Sequence, residues 1–499
     1  VGNFIAMNYT LMANFIFCAY CVILFFDFGK IFFMNSRSFN TVELMLSQPV
    51  GSLIIKNAIP TIITMMVSAI YNTADTFFVS QLGTSASGAV GVIFSLMTMI
   101  QAGGFMIGMG SGSITSRALG SGNRQKAQTF VSTAIVCVFS LGLIFSILGT
   151  IFNKPLVRLL GATDTIFPFA LDYARFIIFG CPFMMSAFAM NNLLRFQGKA
   201  AFSMIGMVTG GILNMLLDPL FIFVFKMGIS GAAIATLISQ ITSFFILLSM
   251  FFFNPQVVKF NIKSVAKKFS VYFDIVTTGL PSLFRQGTTS VSTIFMNIGA
   301  AKYGALMSGF ALTAAQTADA AVAGMSISNR ICQLLMAVAI GLGQGFQPVC
   351  GINLGAKKYD RVKQAVAFLI KGTSLAMAVL GTVVFIFAPQ IAHSFRDDEA
   401  VIKVASIALR MSCCVLAFHS IIFGSTMLLQ TAGEKLSATV LSSLRQGIVF
   451  VPMILCLPYT VQLFGFEPVA GIMLTPALSD LLSAFITLPF LIKYLKKLK

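Results

Sequence analysis

Long apolar stretches recur along this chain, beginning near Ile54, Gly88, Thr129, Phe167, Phe202 and Ala232, and again near Ile275, Ala320, Val366, Val401, Ala438 and Val469. Each runs for about 20 residues or more, which at about 1.5 Å per helical residue crosses a hydrocarbon core of about 30 Å. A backbone inside lipid must satisfy its own hydrogen bonds, so only helices and closed barrels are available to it. These runs are far longer than barrel strands and do not alternate, which selects helices. The expected fold is an all-α polytopic membrane protein with twelve transmembrane helices. With 57% hydrophobic and only 10% charged residues in 499, a soluble domain is excluded.

Charge is read differently once the bilayer is the solvent. The net charge is +18, but the basic residues are spread over short loops, so the lipid bilayer is the expected partner and nucleic acid is not. Placing the start of the first span in the cytoplasm puts Arg117, Arg124, Lys126, Arg195, Lys199, Lys259, Lys263, Lys267, Lys268, Lys357, Lys358, Arg361, Lys363 and Lys435 inside, with the carboxyl-terminal lysines. The opposite loops hold Lys154, Arg158, Lys226, Lys302 and Arg396, offset in part by Asp164, Asp397, Asp398, Glu399 and Glu467. Both ends of the twelve-helix body are therefore expected on the cytoplasmic side of the cell membrane.

Enzyme chemistry finds little material here. Nine Cys residues make an odd number, Cys18 and Cys21 form a CxxC without a second pair, and the two histidines are His393 and His419. No nucleophile with a base and no metal-ligand spacing emerges, and no cofactor is expected.

An internal repeat organises the chain. SRALGSGNRQKAQ resembles GINLGAKKYDRVKQA, with Gly120 answering Gly355 and Gly198 answering Gly433, each 235 residues apart, and Pro155 answering Pro389 at 234. Each repeat holds six spans, an even number, so the two six-helix bundles share one orientation and form a parallel repeat. Pro60 and Pro281 are 221 residues apart, so the second half carries about 14 extra residues, which GALMSGFALTAAQTADA accommodates. The expected domains are an N-lobe at 45–253, a basic cytoplasmic linker at 254–274 and a C-lobe at 275–499. Residues 1–44 are an extension, read either as an added helix or as sequence upstream of a start at Met34 or Met45.

Carboxylates inside the spans are costly, about 2.5–3.5 kcal/mol each on insertion scales, and demand a reason. Asp75 lies about five residues from the outer end of the first span, and Asp218 a similar distance from that of the fifth. Asn214 precedes Asp218 by four residues and shares its face, while Thr236 is about five residues into the sixth span. Two carboxylates, an amide and a hydroxyl at nearly one depth suit a hard cation such as Na+ or a shared proton. The other reading makes each Asp a hydrogen-bond acceptor for a neighbouring helix. The second-half positions answering the acids fall near Met296 and Met453, so the pair belongs to the first half alone. Arg285, Arg330, Lys371, Arg410, Arg445 and Asp480 place further charges in or near second-half spans, where internal pairing competes with an anionic path. Gly104, Gly108 and Gly112 form a small-residue ridge for helix packing.

The stretches YNTADTFFVSQLG, SRALGSGNRQKA with its second copy, and NMLLDPLFIF resemble the multidrug and toxic compound extrusion (MATE) family, particularly its DinF-like branch. The likeness runs from about Met45 to Lys499. It implies two lobes around a central cavity and a secondary active efflux transporter, a monomer exporting amphipathic, often cationic small molecules in exchange for Na+ or H+. It implies that Asp75, Asn214, Asp218 and Thr236 bind the coupling cation, that Pro60 is where the first helix bends, and that Tyr71, Tyr173, Asn191 and Met207 line the substrate cavity, with Ser68 and Gln240 as departures. A related flippase for lipid-linked saccharides is the alternative.

Overall fold

Polar side chains set where the helices begin. Asn123 accepts the Lys126 amide at 2.9 Å, Asp398 accepts the amides of Ala400 and Val401 at 3.0 and 3.3 Å, and Thr313 closes a capping box with Gln316. Each satisfies N–H groups that a helix start leaves open. The computed structural model describes residues 41–254, 257–307, 313–395 and 398–498. The segment before Thr41, with Met34 and the CxxC pair, lies outside the described residues, as do Arg396 and Asp397.

A short helix α1 (Thr41–Ser47) precedes α2 (Val50–Ser80), α3 (Thr84–Gly120), α4 (Arg124–Ile151), the short α5 (Asn153–Leu159), α6 (Phe167–Phe196), α7 (Ala200–Pro219) and α8 (Gly228–Phe253). The second half holds α9 (Phe269–Gly304), α10 (Ala314–Gly355), α11 (Tyr359–Ile386), the short α12 (Ala388–Phe395), α13 (Glu399–Val415), α14 (His419–Ala432), α15 (Lys435–Ser443), α16 (Phe450–Leu463) and α17 (Pro468–Lys497). A 3₁₀ turn joins α13 to α14 and a π turn joins α15 to α16, so each pair makes one crossing. Twelve crossings result among the described residues. Eleven are long and apolar enough to span a bilayer; α9 is equally long at 36 residues but more polar through FRQGTTSVST. The helices begin at or somewhat before the expected positions, the widest gap being Tyr359 for Val366, because polar end turns extend past the hydrocarbon.

Residues α2 to α8 form one lobe and α9 to α17 the other. Within the first, the ridge of Gly104, Gly108 and Gly112 lets α3 meet α6 closely: an added Cβ at Gly104 would lie 2.6 Å from the Met185 carbonyl oxygen, and one at Gly108 2.7 Å from the Ala189 Cα. Lipid tails are as apolar as the side chains, so such close van der Waals contact is what holds these helices together.

The repeat is visible in backbone conformation. Gly198 and Gly433 both adopt positive φ, +74° and +89°, and Gly122 at +77° is matched by Lys357 at +59°. It is visible again where the lobes touch. A Cβ at Gly120 would strike the Ile352 carbonyl oxygen, and one at Gly355 that of Arg117. Gly110 meets the Ile275 carbonyl and the Gly279 nitrogen, as Gly345 meets the Ile54 carbonyl and the Ala58 nitrogen. Each contact is the image of the other under the offsets 235 and 221, so the lobes face each other across a pseudo-two-fold axis.

All these contacts lie toward the end of the molecule that carries the start of α2, the basic end. There Arg117 donates to the Ala432 carbonyl of the opposite lobe at 2.6 Å, and Arg361 donates to the carbonyls of Met45 and Gln48 at 3.2 and 2.6 Å. Helix α1 thus straddles the expected boundary at 44/45, with Met45 buried against Gly198.

Two basic residues assigned to a solvated loop sit elsewhere. Arg195 is in the last turn of α6, 2% exposed, donating to Asn192, to Gln344 of α10 and toward the Met109 sulfur. Lys199 is also buried, in the three-residue turn between α6 and α7, with its ammonium 6.0 Å from the Phe202 ring centre. The linker meets the first lobe by hydrogen bonds from the Val258, Asn261 and Ala266 amides to Gln197, Ser132 and Thr133, and ends where α9 begins at Phe269.

Candidate functional site

Four helices of the first lobe bring the polar residues together. On α2, Asp75 follows Tyr71 by one turn, and both are buried. On α7, Asn214 and Asp218 share a face, and Pro219 immediately after Asp218 hands the helix to a π turn, Leu220–Val224. Proline lacks the N–H that would continue the α-helical ladder, and π turns of this kind recur at functional sites. The start of α8 packs against that turn, a Cβ at Gly231 falling 2.8 Å from the Phe221 backbone, and this sets Thr236 opposite Asn214.

The contacts are direct. Tyr173 of α6 donates its hydroxyl to Asp75 Oδ2 at 3.2 Å. The Asn214 amide nitrogen lies 3.2 Å from Asp218 Oδ1 and 3.3 Å from Thr236 Oγ1. Asp75 and Asp218 are within electrostatic range of one another, and Tyr173 of both. Three buried oxygens, Asp75 Oδ1, Asp218 Oδ2 and Asn214 Oδ1, have no hydrogen-bond partner among the described residues. No Lys, Arg or His pairs with either carboxylate among the described residues. Two carboxylates without a basic partner in a low dielectric need protons or a cation to be neutralised, and the free oxygens are where such a charge would sit.

The four residues expected at the cation site therefore come together, all on one lobe, and Tyr173 joins them. Its link to Asp75 spans 98 positions, and nothing in spacing announces it. Of the other residues expected at the substrate cavity, Tyr71 packs against Gly211, Met207 is buried on α7, and Asn191 donates its amide to the Ser203 carbonyl at 3.0 Å. Pro60 lies inside the continuous α2, where Asn57, Thr61 and Thr64 donate to the carbonyls of Leu53, Asn57 and Pro60 at 2.8, 3.0 and 2.8 Å. Back-bonding of this kind bends helices, and here it flanks the position where proline removes a backbone hydrogen bond. In the second lobe, Met296 and Met453 occupy the positions answering the two acids, and both pack among apolar neighbours.

A family model described as MatE matches residues 60–220 and 293–456, one block in each lobe. The multidrug export protein MepA of Staphylococcus aureus (strain MRSA252) is 26% identical over 407 residues, covering 81% of this chain and 87% of that one. MepA of Staphylococcus haemolyticus (strain JCSC1435) is 26% identical over 432 residues, covering 86% and 91%. Among solved structures, an outward-facing multidrug resistance MATE family transporter of the MOP superfamily superposes with a TM-score of 0.84 at 24% identity, over 93% of this chain and 99% of that one. A MOP superfamily transporter from Pyrococcus furiosus gives the same figures, and both likenesses concern the fold.

Proposed function

This chain belongs to the MatE family of membrane transporters, and we propose that it exports amphipathic, often cationic organic compounds across the cell membrane in exchange for Na+ or H+ entering at Asp75, Asp218, Asn214 and Thr236. The observation that carries this reading is the pair of buried carboxylates with free oxygens and, among the described residues, no basic partner. The MepA relatives are named for multidrug export, which supports the substrate class. The flippase alternative, which rests on the second-half Arg and Lys residues as a group, is not favoured: the relatives are named for multidrug export, and one of those residues, Arg445, is paired with Asp480.

With the basic end in the cytoplasm, the lobes are joined on the cytoplasmic side, which is the arrangement that releases cargo outward. Cation entry then drives transport only if the ion prefers one arrangement of the lobes over the other, because equal affinity for both shifts nothing. Pro60, with its flanking back-bonds, supplies a place for α2 to bend as Asp75 changes charge; Tyr71 and Tyr173 adjoin the acids, and Asn191 and Met207 extend the N-lobe substrate surface toward the start of α7.

The test is uptake of tetraphenylphosphonium into inverted vesicles with sodium and proton gradients imposed separately. One of the gradients should drive uptake, and Asp75→Asn and Asp218→Asn should each reduce it at least tenfold with insertion intact. The double variant should lose little more, since groups acting as a unit are not additive. Normal transport by folded Asp75→Asn would remove it from the mechanism.

A further inference from the structure

At the basic end a cavity of about 410 Å³ lies between the lobes, with Arg117 and Lys126 on the side of the first lobe and Asp274, Thr278, Gly433 and Lys435 on the side of the second. Gly433 leaves room for the guanidinium: a Cβ there would lie 2.4 Å from Arg117 Nη1, which donates to the Ala432 carbonyl at 2.6 Å. Arg117 Nε donates to the Ser113 carbonyl at 3.2 Å, and Nη2 has no hydrogen-bond partner among the described residues. Lys126 is exposed, and its ammonium has none there either. Thr278 is 2% exposed, and its hydroxyl is also without a partner among the described residues.

Charge decides what such a cavity suits. Among the described residues its lining carries three basic side chains and one carboxylate, and Lys435 lies 2.7 Å from that carboxylate, so Arg117 and Lys126 are left unmatched. Ser121 and Thr278 add hydroxyls, which can accept hydrogen bonds but cancel no charge.

The internal repeat shows what the counterpart of this cavity holds. Under the offset of 235, Lys126 answers Arg361, Gly433 answers Gly198 and Ala118, also on the lining, answers Asn353. Those three counterparts seat α1: Met45 packs on Gly198, and its carbonyl accepts Arg361 at 3.2 Å and the Asn353 amide at 3.1 Å. Beside them Lys358 donates to the Leu46 carbonyl at 3.1 Å. On that side of the pseudo-two-fold axis, basic donors are met by the chain's own oxygens. On this side the linker, which precedes α9 as α1 precedes α2, is held on α4 through Ser132 and Thr133, and the donors face the cavity.

We propose that this cavity binds a phosphomonoester. Such a group carries a charge of about −1.5 to −2 at neutral pH and three strong acceptor oxygens, which match the two unmatched cations and the open donors of Arg117, Lys126 and Thr278. A carboxylate or a phosphodiester brings one charge and leaves one cation unmet. Because the donors come from both lobes, a single ligand touches both. The chemistry is common to soluble phosphomonoesters and to the headgroup of phosphatidic acid. The site is separate from the cation site and independent of the transport reading.

The experiment is calorimetric titration of the purified full chain in detergent at about pH 8, where a phosphomonoester is a dianion. The probes are phenyl phosphate with its diester methyl phenyl phosphate, and dioctanoyl phosphatidic acid with its diester dioctanoyl phosphatidylglycerol. At least one monoester should bind saturably and at least fivefold more tightly than its diester. Binding of phenyl phosphate identifies a soluble ligand, and binding of phosphatidic acid alone a lipid headgroup. Lys126→Glu should weaken the monoester at least tenfold and Thr278→Val at least threefold. Arg124→Glu, the same charge change at an exposed residue outside the cavity, should alter it less than twofold. No saturable binding of either monoester, equal binding of monoester and diester, or equal loss in Lys126→Glu and Arg124→Glu overturns the proposal.

Discussion

Tyr173 and Asp75 are joined across two helices by a hydroxyl donating to a carboxylate at 3.2 Å, with both side chains buried. A hydrogen bond to a charged group is worth about 1.5–3 kcal/mol. It stabilises the free carboxylate and so opposes binding of whatever ion neutralises it. Tyr173→Phe should lower the half-saturating concentration of the coupling ion by about tenfold, at about 1.4 kcal/mol per decade, and slow ion release. Counterflow in proteoliposomes across a range of ion concentrations measures it; a rise in half-saturation would put Tyr173 on the ion's side of the balance.

Thr236 separates the two candidate ions. Its hydroxyl lies 3.3 Å from the Asn214 amide, beside the acid pair, and offers an oxygen that a sodium ion needs and a proton does not. Thr236→Val should abolish transport driven by sodium and cost less than threefold if the driving ion is the proton.

Interlobe glycines should control the closed basic end. Gly110 meets the Ile275 backbone with no room for a Cβ, and Ser116, on the same helix, is fully buried against Gly351. Gly110→Val should therefore open the basic end and make a cysteine at position 116, in a Cys-free background, react with a thiol reagent at least tenfold faster. Unchanged protection would mean that the lobes are not held by this contact.

Sidedness is testable at exposed loop residues. Lys126, Lys267 and Lys358 are exposed at the basic end, whereas Lys199 is too buried to serve. Single cysteines at the three exposed positions should resist an impermeant reagent in intact cells and react after permeabilisation. Direct labelling in sealed cells at most of them reverses the orientation.

Lys199 should give the folded chain an alkaline pH dependence. Burial first, and the nearby Lys56 second, push its amine from the ordinary 10.5 down to about 8. Between about 8 and 10.5 the unfolded chain holds the proton that the folded chain has released, so stability rises with pH in that window and is flat below it. Lys199→Met should remove this rise, read as the change in thermal midpoint between pH 7.5 and 10 in detergent.

Crossing number, repeat and the depth of the polar groups were legible in the linear order because each depends on local spacing. Lipid forces about 20 apolar residues per crossing, helical rise converts position into depth, and a duplicated backbone turn keeps its glycine at Gly198 and Gly433. Asn214 and Asp218 share a face through a spacing of four, so their pairing was legible too. Contacts between helices were not. That Tyr173 meets Asp75, that Arg195 leaves its expected loop to reach Gln344, and that His419, Arg445 and Asp480 surround one cavity follow from how the helices are arranged around each other. In lipid, that arrangement is decided by where small residues allow backbones to touch, as at Gly120 and Gly355, and such close packing is a property of two surfaces together, which neither helix's sequence carries alone.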